Sequence, residues 1–275
     1  MTNIGFVYFG DKYIDEESYI SGTFTCYRAK DFSVTPDITH EIYASDYVLT
    51  RGPKLSQFEY EKCWSIWNER GLTFASSPTS YLIANSPQKN TALLCEDAPE
   101  LFVLSANLTD EEIVRTLINK AIHPLFVRSE KESAAKYVGV DGCIISALDD
   151  ESILSAVRDL RTHVLGFNEI IFKRVVSIAK SSSGKVLEYR GIAVKGVLVS
   201  IEYDTSLPSP KSLGIDIYAA NIIIKLAQHG LDGAFFIDIG VKNDGGFFVI
   251  ECKDLINGKI HTITRFSQGL KNLLM

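Results

Sequence analysis

The tetrapeptide Asn243-Asp244-Gly245-Gly246 is the feature that most constrains the fold. It separates two apolar, β-rich runs, at residues 234–239 and 247–252. Asp-Gly and Gly-Gly pairs favour the tight turns that join antiparallel strands, because they tolerate positive φ angles. The sequence therefore predicts a β-hairpin here, and the rest of the fold must place that hairpin in an antiparallel sheet.

Each predicted strand of this hairpin carries a carboxylate. Asp238 lies within the first run and Glu251 near the end of the second. Because hairpin strands are antiparallel, the two side chains could lie close together at one end of the ladder. Carboxylates among apolar residues are costly unless a cation or a donor meets them, and Mg²⁺ held by one or two carboxylates plus substrate phosphates would do so. The hairpin alone equally allows both side chains to face solvent.

The remaining patterns predict an α+β protein with three regions. Strand, helix and strand follow one another in residues 1–85, which predicts a small α/β lobe that includes a strand at 72–75. Residues 86–166 contain strands and two helices, the first opened by a capping box of Thr109 and Glu112. Residues 167–275 are the richest in strands.

Composition and motif searches exclude several classes of protein. The formal net charge of −6 disfavours a protein that tracks nucleic-acid phosphates. The five cysteines include no CxxC pair, so we expect reduced thiols and a cytoplasmic protein. The apolar stretches are too short to span a bilayer, and we expect no membrane partner. Zinc-enzyme, Rossmann and P-loop motifs are absent from the sequence.

Two further groups of charged residues could serve a binding site. A predicted strand ends in Arg128 and is followed by a polar loop that contains Lys136, an arrangement that suits an open cleft gripping phosphates. Solvated charges at a strand end are the more common reading of such a pattern. Glu188-Tyr189-Arg190 places two charged residues on one face of a strand, which is usually a surface ion pair.

Taken in order, these signals resemble the ATP-grasp superfamily, and within it the clade typified by an arginine and two lysines. The resemblance runs from about residue 72 to residue 259, and Ser77-Pro78-Thr79-Ser80-Tyr81 is similar to the Ser-Pro-x-x-Tyr motif that opens the family's nucleotide core. It implies an α+β, ATP-grasp-like fold. A small N-terminal α/β lobe (1–85) would precede two α+β lobes (86–166 and 167–275) that enclose a nucleotide cleft.

The resemblance also assigns roles to individual residues. Lys89 resembles the lysine that opens the ATP-binding lobe, and Lys136-Tyr137-Val138-Gly139 resembles the family's Lys-x-Phe-x-Gly loop. Residues 169–176 stand where the family places the hinge against adenine. The implied ATP-binding residues are Lys89, Arg128, Lys136, Glu169, Ile171, Phe172, Lys173 and Glu188. The implied catalytic residues are Arg190 and Arg128, and the implied Mg²⁺ ligands are Asp238 and Glu251.

The chain departs from the family at the second metal strand. The family usually has Glu-x-Asn, whereas this sequence has Glu251-Cys252-Lys253. A lysine cannot donate an oxygen to Mg²⁺. Asp254 or Asn257 could substitute after a local shift, or one metal alone could bind well, or activity could be lost. Cys252 should point away from the side of Glu251, into the core.

The resemblance implies an enzyme that uses ATP and Mg²⁺ to join a carboxylate to an amine or similar nucleophile through an acyl phosphate. The substrates would be small molecules or peptides, with no nucleic acid. Two alternatives remain open, a catalytically inactive nucleotide-binding or partner-binding module with the same fold, and a generic α/β protein whose match is accidental. The sequence specifies neither the two substrates nor the oligomeric state.

Overall fold

A computed structural model of the chain describes residues 4–9, 13–21, 24–29, 45–53, 55–130, 133–256, 260 and 263–274. These residues divide into two compact units. The first unit contains residues 1–85 together with 178–275, and the second contains residues 86–177.

The N-terminal part of the first unit is a three-stranded parallel sheet with helices. β1 lies between β2 and β3, and its apolar sequence is buried along its whole length. The strands are β1 (Ile4–Phe9), β2 (Thr25–Ala29) and β3 (Tyr47–Arg51), and the helices are α1 (Ile14–Ile20), α2 (Gln57–Asn68) and α3 (Pro78–Asn85). The predicted strand at 72–75 is wrong, because this segment makes only an isolated bridge between Phe74 and Val48 before the chain turns into α3.

The second unit is a four-stranded antiparallel sheet with helices. Its strand order is β4-β7-β5-β6, so β7 is a central strand. The strands are β4 (Leu101–Ser105), β5 (Leu125–Ser129), β6 (Ile144–Ile145) and β7 (Glu169–Arg174), and the helices are α4 (Pro87–Leu94), α5 (Asp110–Lys120), α6 (Ala135–Val138) and α7 (Asp150–His163). The capping box predicted from Thr109 and Glu112 is confirmed at the start of α5.

The C-terminal part of the first unit is a second antiparallel sheet, in the order β11-β10-β8-β9. Its strands are β8 (Glu188–Val194), β9 (Val197–Glu202), β10 (Ala234–Val241) and β11 (Phe247–Asp254), and its helices are α8 (Pro210–Leu213), α9 (Ile215–Gln228) and α10 (Ile263–Leu274). The predicted hairpin is confirmed as β10 and β11. Phe6 of β1 shares one apolar core with Ile192, Phe236 and Phe266, which holds this sheet against the N-terminal part of the same unit.

Two serines near the start of α3 fix the beginning of β10. The Ser76 hydroxyl accepts a hydrogen bond of 2.9 Å from the backbone N–H of Ala234, and the Ser80 hydroxyl accepts one of 3.0 Å from Gly233. Gly233 has no room for a side chain, because a Cβ atom there would collide with both hydroxyl groups. The strand that carries Asp238 is therefore anchored at its first residue.

No helix within the described part of the chain is long and apolar enough to cross a membrane.

Candidate functional site

The hairpin brings Asp238 and Glu251 face to face. The two residues are direct cross-strand partners in the β10–β11 ladder, so their side chains lie on the same face of the sheet. The register shifts immediately afterwards, between Asp238 and Ile239, where the next pair joins Ile239 to Val249. Ile250 is the extra residue of this β-bulge, and a bulge bends and twists the strand, here beside the two carboxylates.

Arg190 is the partner of Asp238 on the other side of β10. The two residues are opposite each other in the β8–β10 ladder, and their hydrogen bonds measure 2.7 Å from Nε to Oδ1 and 2.9 Å from Nη2 to Oδ2. The guanidinium also lies 4.1 Å from the centre of the Phe236 ring. Burial lowers the pKa of Arg190, but its hydrogen bonds to Asp238 more than offset that effect and the net shift is upward. The side chain is therefore a fixed positive charge.

Glu202 completes a row of charged residues across all four strands. It is the partner of Arg190 in the β8–β9 ladder, it is only 2% exposed, and its negative charge raises the pKa of Arg190. We call Glu251, Asp238, Arg190 and Glu202 the charged row. One largely buried guanidinium with a carboxylate on each neighbouring strand is well suited to stay ionised and in one orientation.

Glu188 lies on the same strand as Arg190, two residues earlier, and so faces the same side. Burial raises its pKa, and the negative charges of Asp238 and Glu251 raise it further, whereas Arg190 lowers it. The carboxylates of Glu188, Asp238 and Glu251 are thus close enough to influence one another at this end of the sheet.

Lys253 supplies a cation to Glu251. Its ammonium contacts Glu251 Oε2, and the two side chains are 43% and 26% exposed, respectively. Residues two apart on a strand share a face, which places Lys253 beside Glu251. Cys252 is buried on the opposite side, as predicted, and burial raises the pKa of its thiol.

Asp254 is not placed to act as the substitute metal ligand that the sequence left open. It lies on the face of β11 away from Glu251, is 5% exposed, and accepts hydrogen bonds from Ser76 Oγ at 3.0 Å and from the Ile256 backbone N–H at 2.6 Å. Burial raises its pKa from 3.8 to about 7. The other alternative, Asn257, lies outside the described residues.

A cavity of about 650 Å³ opens beside the charged row. Its walls include Glu188, Tyr189, Arg190, Glu202, Tyr203 and Asp238. The Tyr189 hydroxyl donates a hydrogen bond of 2.9 Å to the Pro208 carbonyl, which fastens the 204–209 segment over one side. A volume in this range accommodates a small organic ligand.

The predicted cationic residues of the second unit lie on three different elements. Lys89 is exposed near the start of α4. Arg128 is half-buried on β5, and its Nε donates a hydrogen bond of 3.1 Å to the Ser129 carbonyl. Lys136 lies on α6, and its side chain is outside the described part of the structure. Their roles toward a nucleotide stay predictions.

The predicted hinge residues all lie on β7. Ile171 and Phe172 are 1% and 0% exposed, and β7 is bonded to β4 on one side and β5 on the other. Glu169 and Lys173 are half-buried, and the Glu169 backbone N–H donates a hydrogen bond of 3.1 Å to Glu130. The side chains of Ile171 and Phe172 thus serve the core, and the nucleotide contacts predicted for this strand remain a prediction.

The donor set of the charged row fits Mg²⁺ under one condition. Carboxylate oxygens are the ligands that Mg²⁺ prefers, and it commonly takes one or two of them plus phosphate oxygens. Asp238 and Glu251 supply such a pair. Among the described residues, no group of three or more His, Cys, Asp or Glu side chains could hold a metal ion without outside help. The pair therefore supplies two of the ligands that Mg²⁺ needs, and phosphate oxygens would complete the coordination.

Comparison with solved structures identifies the fold. An ATP-grasp RimK domain protein from Sphaerobacter thermophilus superposes with a TM-score of 0.65 at 11% identity, over 98% of each chain. D-cycloserine synthetase DcsG gives a TM-score of 0.63 at 13% identity, over 98% of this chain and 100% of the synthetase. The D-alanine–D-alanine ligase of Bacillus anthracis, solved with ATP, gives 0.56 at 14% identity, over 92% of this chain and 86% of the ligase. This chain has the ATP-grasp fold.

The ATP-grasp fold predicted from the sequence is thus confirmed. No protein-family model matches the sequence, and no curated protein matches it by sequence. At 11–14% identity the three structures establish the architecture of this ATP-grasp chain.

Sequence reasoning singled out Lys253 but missed Glu202 and the direct contact of Lys253 with Glu251. Glu202 could have been found from its position, because it is the last residue of β9 and the single charged side chain in that strand. A lone charge at the end of an apolar strand indicates a polar neighbour, which here is Arg190. The contact between Lys253 and Glu251 could have been inferred from their spacing of two on one strand. Within the ATP-grasp fold, both residues change the charge that surrounds the predicted metal ligands.

Proposed function

We propose that this chain is an ATP-dependent ligase that joins a carboxylate to an amine or a similar nucleophile through an acyl phosphate. The observation that carries the proposal is the charged row, in which Arg190 is held by Asp238 beside a cavity of about 650 Å³. The ATP-grasp fold supports it, since solved proteins of similar fold include a D-cycloserine synthetase and a D-alanine–D-alanine ligase with ATP.

Arg190 would stabilise the charge that develops during phosphoryl transfer. Transfer of the γ-phosphoryl group to a substrate carboxylate concentrates negative charge on the phosphoryl oxygens, and a preorganised cation lowers that barrier. The bidentate contact with Asp238 and the Phe236 ring fix the guanidinium before substrate arrives. Little reorganisation is then needed at the moment of reaction.

Asp238 and Glu251 would hold Mg²⁺ together with the phosphates of ATP. When bound, the ion neutralises phosphate oxygens and orients them for in-line transfer. Asp238 keeps two roles in this arrangement, because the same carboxylate also orients Arg190. The sequence-based assignments of Lys89, Arg128 and Lys136 to the phosphates are part of the same proposal, as are the β7 residues and Glu188 for the nucleotide.

The cavity beside the charged row would hold the reacting substrate. Acyl phosphates hydrolyse readily, so a ligase must keep water away from the intermediate. Tyr189, Tyr203 and Leu207 give the cavity apolar walls that serve this purpose. Small molecules or a peptide end fit the volume. A cytoplasmic location belongs to the proposal, and the five cysteines, all of them free thiols in the structure, suit a reducing compartment.

One observation favours the alternative, a catalytically inactive module that binds a nucleotide or a partner. Lys253 contacts Glu251 and so already supplies the positive charge that a metal ion would bring. A chain that no longer catalyses a reaction does not need the metal ion, so it would tolerate a lysine at the position where the family usually has an asparagine.

The test combines ADP release with thermal stability. A ligase should release ADP from ATP and Mg²⁺ only when a carboxylate and an amine acceptor are both present, so a panel of amino acids and short peptides is screened in pairs. ATP with Mg²⁺ should raise the melting temperature, because a ligand that binds only the folded state stabilises it. Asp238→Asn should abolish both effects with an unchanged circular dichroism spectrum.

Asp244→Asn is the matched control, since it removes a carboxylate from the turn of the same hairpin. It should leave ADP release and thermal stabilisation at wild-type levels. Stabilisation by ATP and Mg²⁺ without ADP release from any pair would favour the inactive module. A wild-type protein that shows neither effect would refute nucleotide binding altogether.

A further inference from the structure

The carboxylates of Asp238 and Glu251 are each paired with a positively charged side chain of the same protein. Asp238 is bonded to Arg190, and Glu251 is contacted by Lys253. Within these four groups the positive and negative charges are equal in number, and Glu188 and Glu202 add negative charge on the same face. A divalent ion that approached Asp238 and Glu251 without any other anion would have to compete with both of these cations.

The two cations differ in how firmly they are held. Arg190 is 21% exposed, makes two hydrogen bonds to one carboxylate and lies over the Phe236 ring. Lys253 is 43% exposed. A lysine ammonium is a compact point charge on a flexible stem, whereas a stacked, bidentate arginine has little freedom. Of the two, Lys253 is the cation that can leave its carboxylate at low cost.

Phosphates are the groups that would draw Lys253 away. In the register of β11 and β10, Lys253 lies opposite Phe236, the residue whose ring carries the Arg190 guanidinium. Both cations therefore border the face on which Asp238 and Glu251 meet. An anion with several oxygens placed there would attract the ammonium and would add metal ligands at the same time.

Resting on the proposed function, we propose that Lys253 is an internal counter-ion that keeps divalent metal off Glu251 until the phosphates of ATP arrive. With phosphate present, the ammonium passes from Glu251 to a phosphate oxygen, and Glu251 becomes available to the metal. Metal binding in this chain is thus conditional on nucleotide. By linkage, nucleotide and metal each strengthen the binding of the other by the same factor.

The test measures binding of Mn²⁺ alone, by calorimetry and by electron paramagnetic resonance, and then binding of Mn²⁺ with a non-hydrolysable ATP analogue. The wild-type protein should bind Mn²⁺ alone weakly and should bind it much more tightly with the analogue. Lys253→Met should tighten the binding of Mn²⁺ alone by about tenfold. The further gain from the analogue should shrink correspondingly.

Two control variants separate the role of this lysine from a general effect of charge. Lys253→Arg keeps the positive charge at the site and should bind Mn²⁺ alone as weakly as the wild type. Lys242→Met removes a lysine at the turn end of the same hairpin and should also leave Mn²⁺ binding unchanged. Equal tightening in Lys242→Met would overturn the inference, because net charge alone would then explain the result.

The remaining outcomes distinguish this inference from the proposed function. If Lys253→Met binds Mn²⁺ alone no more tightly than the wild type, the counter-ion role is refuted. The ligase proposal would then still stand, provided that the wild type releases ADP and Asp238→Asn does not. If the wild type binds no Mn²⁺ even with the analogue, the metal site itself is wrong and both proposals fail.

Discussion

Arg190 and Asp238 meet side-on across β8 and β10, with Nε 2.7 Å from one carboxylate oxygen and Nη2 2.9 Å from the other. Their side chains are 21% and 7% exposed, so water competes little for either. Only a planar guanidinium can make this paired contact, since a lysine ammonium has neither the fork nor the flat face that lies on Phe236.

Arg190→Lys should therefore cost far more activity than a conservative change normally does. If the chain is a ligase, we expect ADP release in the presence of both substrates to fall by at least about 100-fold, because a fixed charge at the transferred phosphoryl group is lost. Steady-state rates at saturating ATP provide the measurement. Arg70→Lys, at an exposed position after α2, should retain full activity. A rate for the Arg190→Lys variant within about threefold of the wild type would contradict the proposed role.

Asp254 should make stability depend on pH in an unusual direction. Burial raises its pKa from 3.8 to about 7, so the folded protein holds a proton between those values that the unfolded chain releases. The contribution of this group to the free energy of unfolding therefore falls as pH rises through that window. Urea midpoints measured at intervals from about pH 5 to about pH 8 should decline in the wild type relative to Asp254→Asn. Asp244→Asn should follow the wild type, and parallel curves for all three proteins would refute the shift.

The fully buried Arg51 should be a strong determinant of stability. It is 0% exposed, makes two hydrogen bonds of 2.7 Å to Glu16, and contacts the Leu255 carbonyl. Arg51→Met leaves Glu16 buried without its cation, and we expect a loss of about 3–5 kcal/mol in urea unfolding. Adding Glu16→Gln should recover part of the loss. Arg28→Met breaks the more exposed pair with Glu17 and should cost under about 1 kcal/mol; equal losses in the two single variants would be the contrary result.

Gly233 should not tolerate alanine. A Cβ atom there would collide with the hydroxyl groups of Ser76 and Ser80, which hold the start of β10. Overpacking of this kind typically costs about 1–3 kcal/mol. Thermal and urea unfolding of Gly233→Ala measure the loss. The adjacent exposed Asp232→Ala is the control and should lie within about 0.5 kcal/mol of the wild type.

The sequence predicted the structure best where the interacting residues lie close together in the chain. The Asp-Gly turn predicts the hairpin, and the hairpin places Asp238 opposite Glu251, as the register confirms. The capping box of Thr109 is equally local. The fold class followed from the order of such short signals, because each constrains its own segment strongly and the ATP-grasp resemblance supplied the arrangement.

The partners of the site residues were less accessible, because they come from strands that are distant in the chain. Arg190 meets Asp238 across 48 residues, since β10 pairs with β8 after the α9 crossover. Ser76 meets Asp254 across 178 residues. Neither contact has a pattern within one segment that would reveal it. The predicted strand at 72–75 failed for a related reason, since a β-rich composition does not guarantee that a neighbouring strand offers more than one bridge.

The single hydroxyl group of Ser76 donates to Asp254 at the end of β11 and accepts from Ala234 at the start of β10. One atom thus fastens both legs of the hairpin to the segment that leads into α3. A hairpin clamped at its open end cannot slide or splay independently of that segment. If the segment that leads into α3 moved, the hairpin would move with it, and the positions of Asp238 and Glu251 would change together. Their geometry therefore depends on the N-terminal part of the same unit.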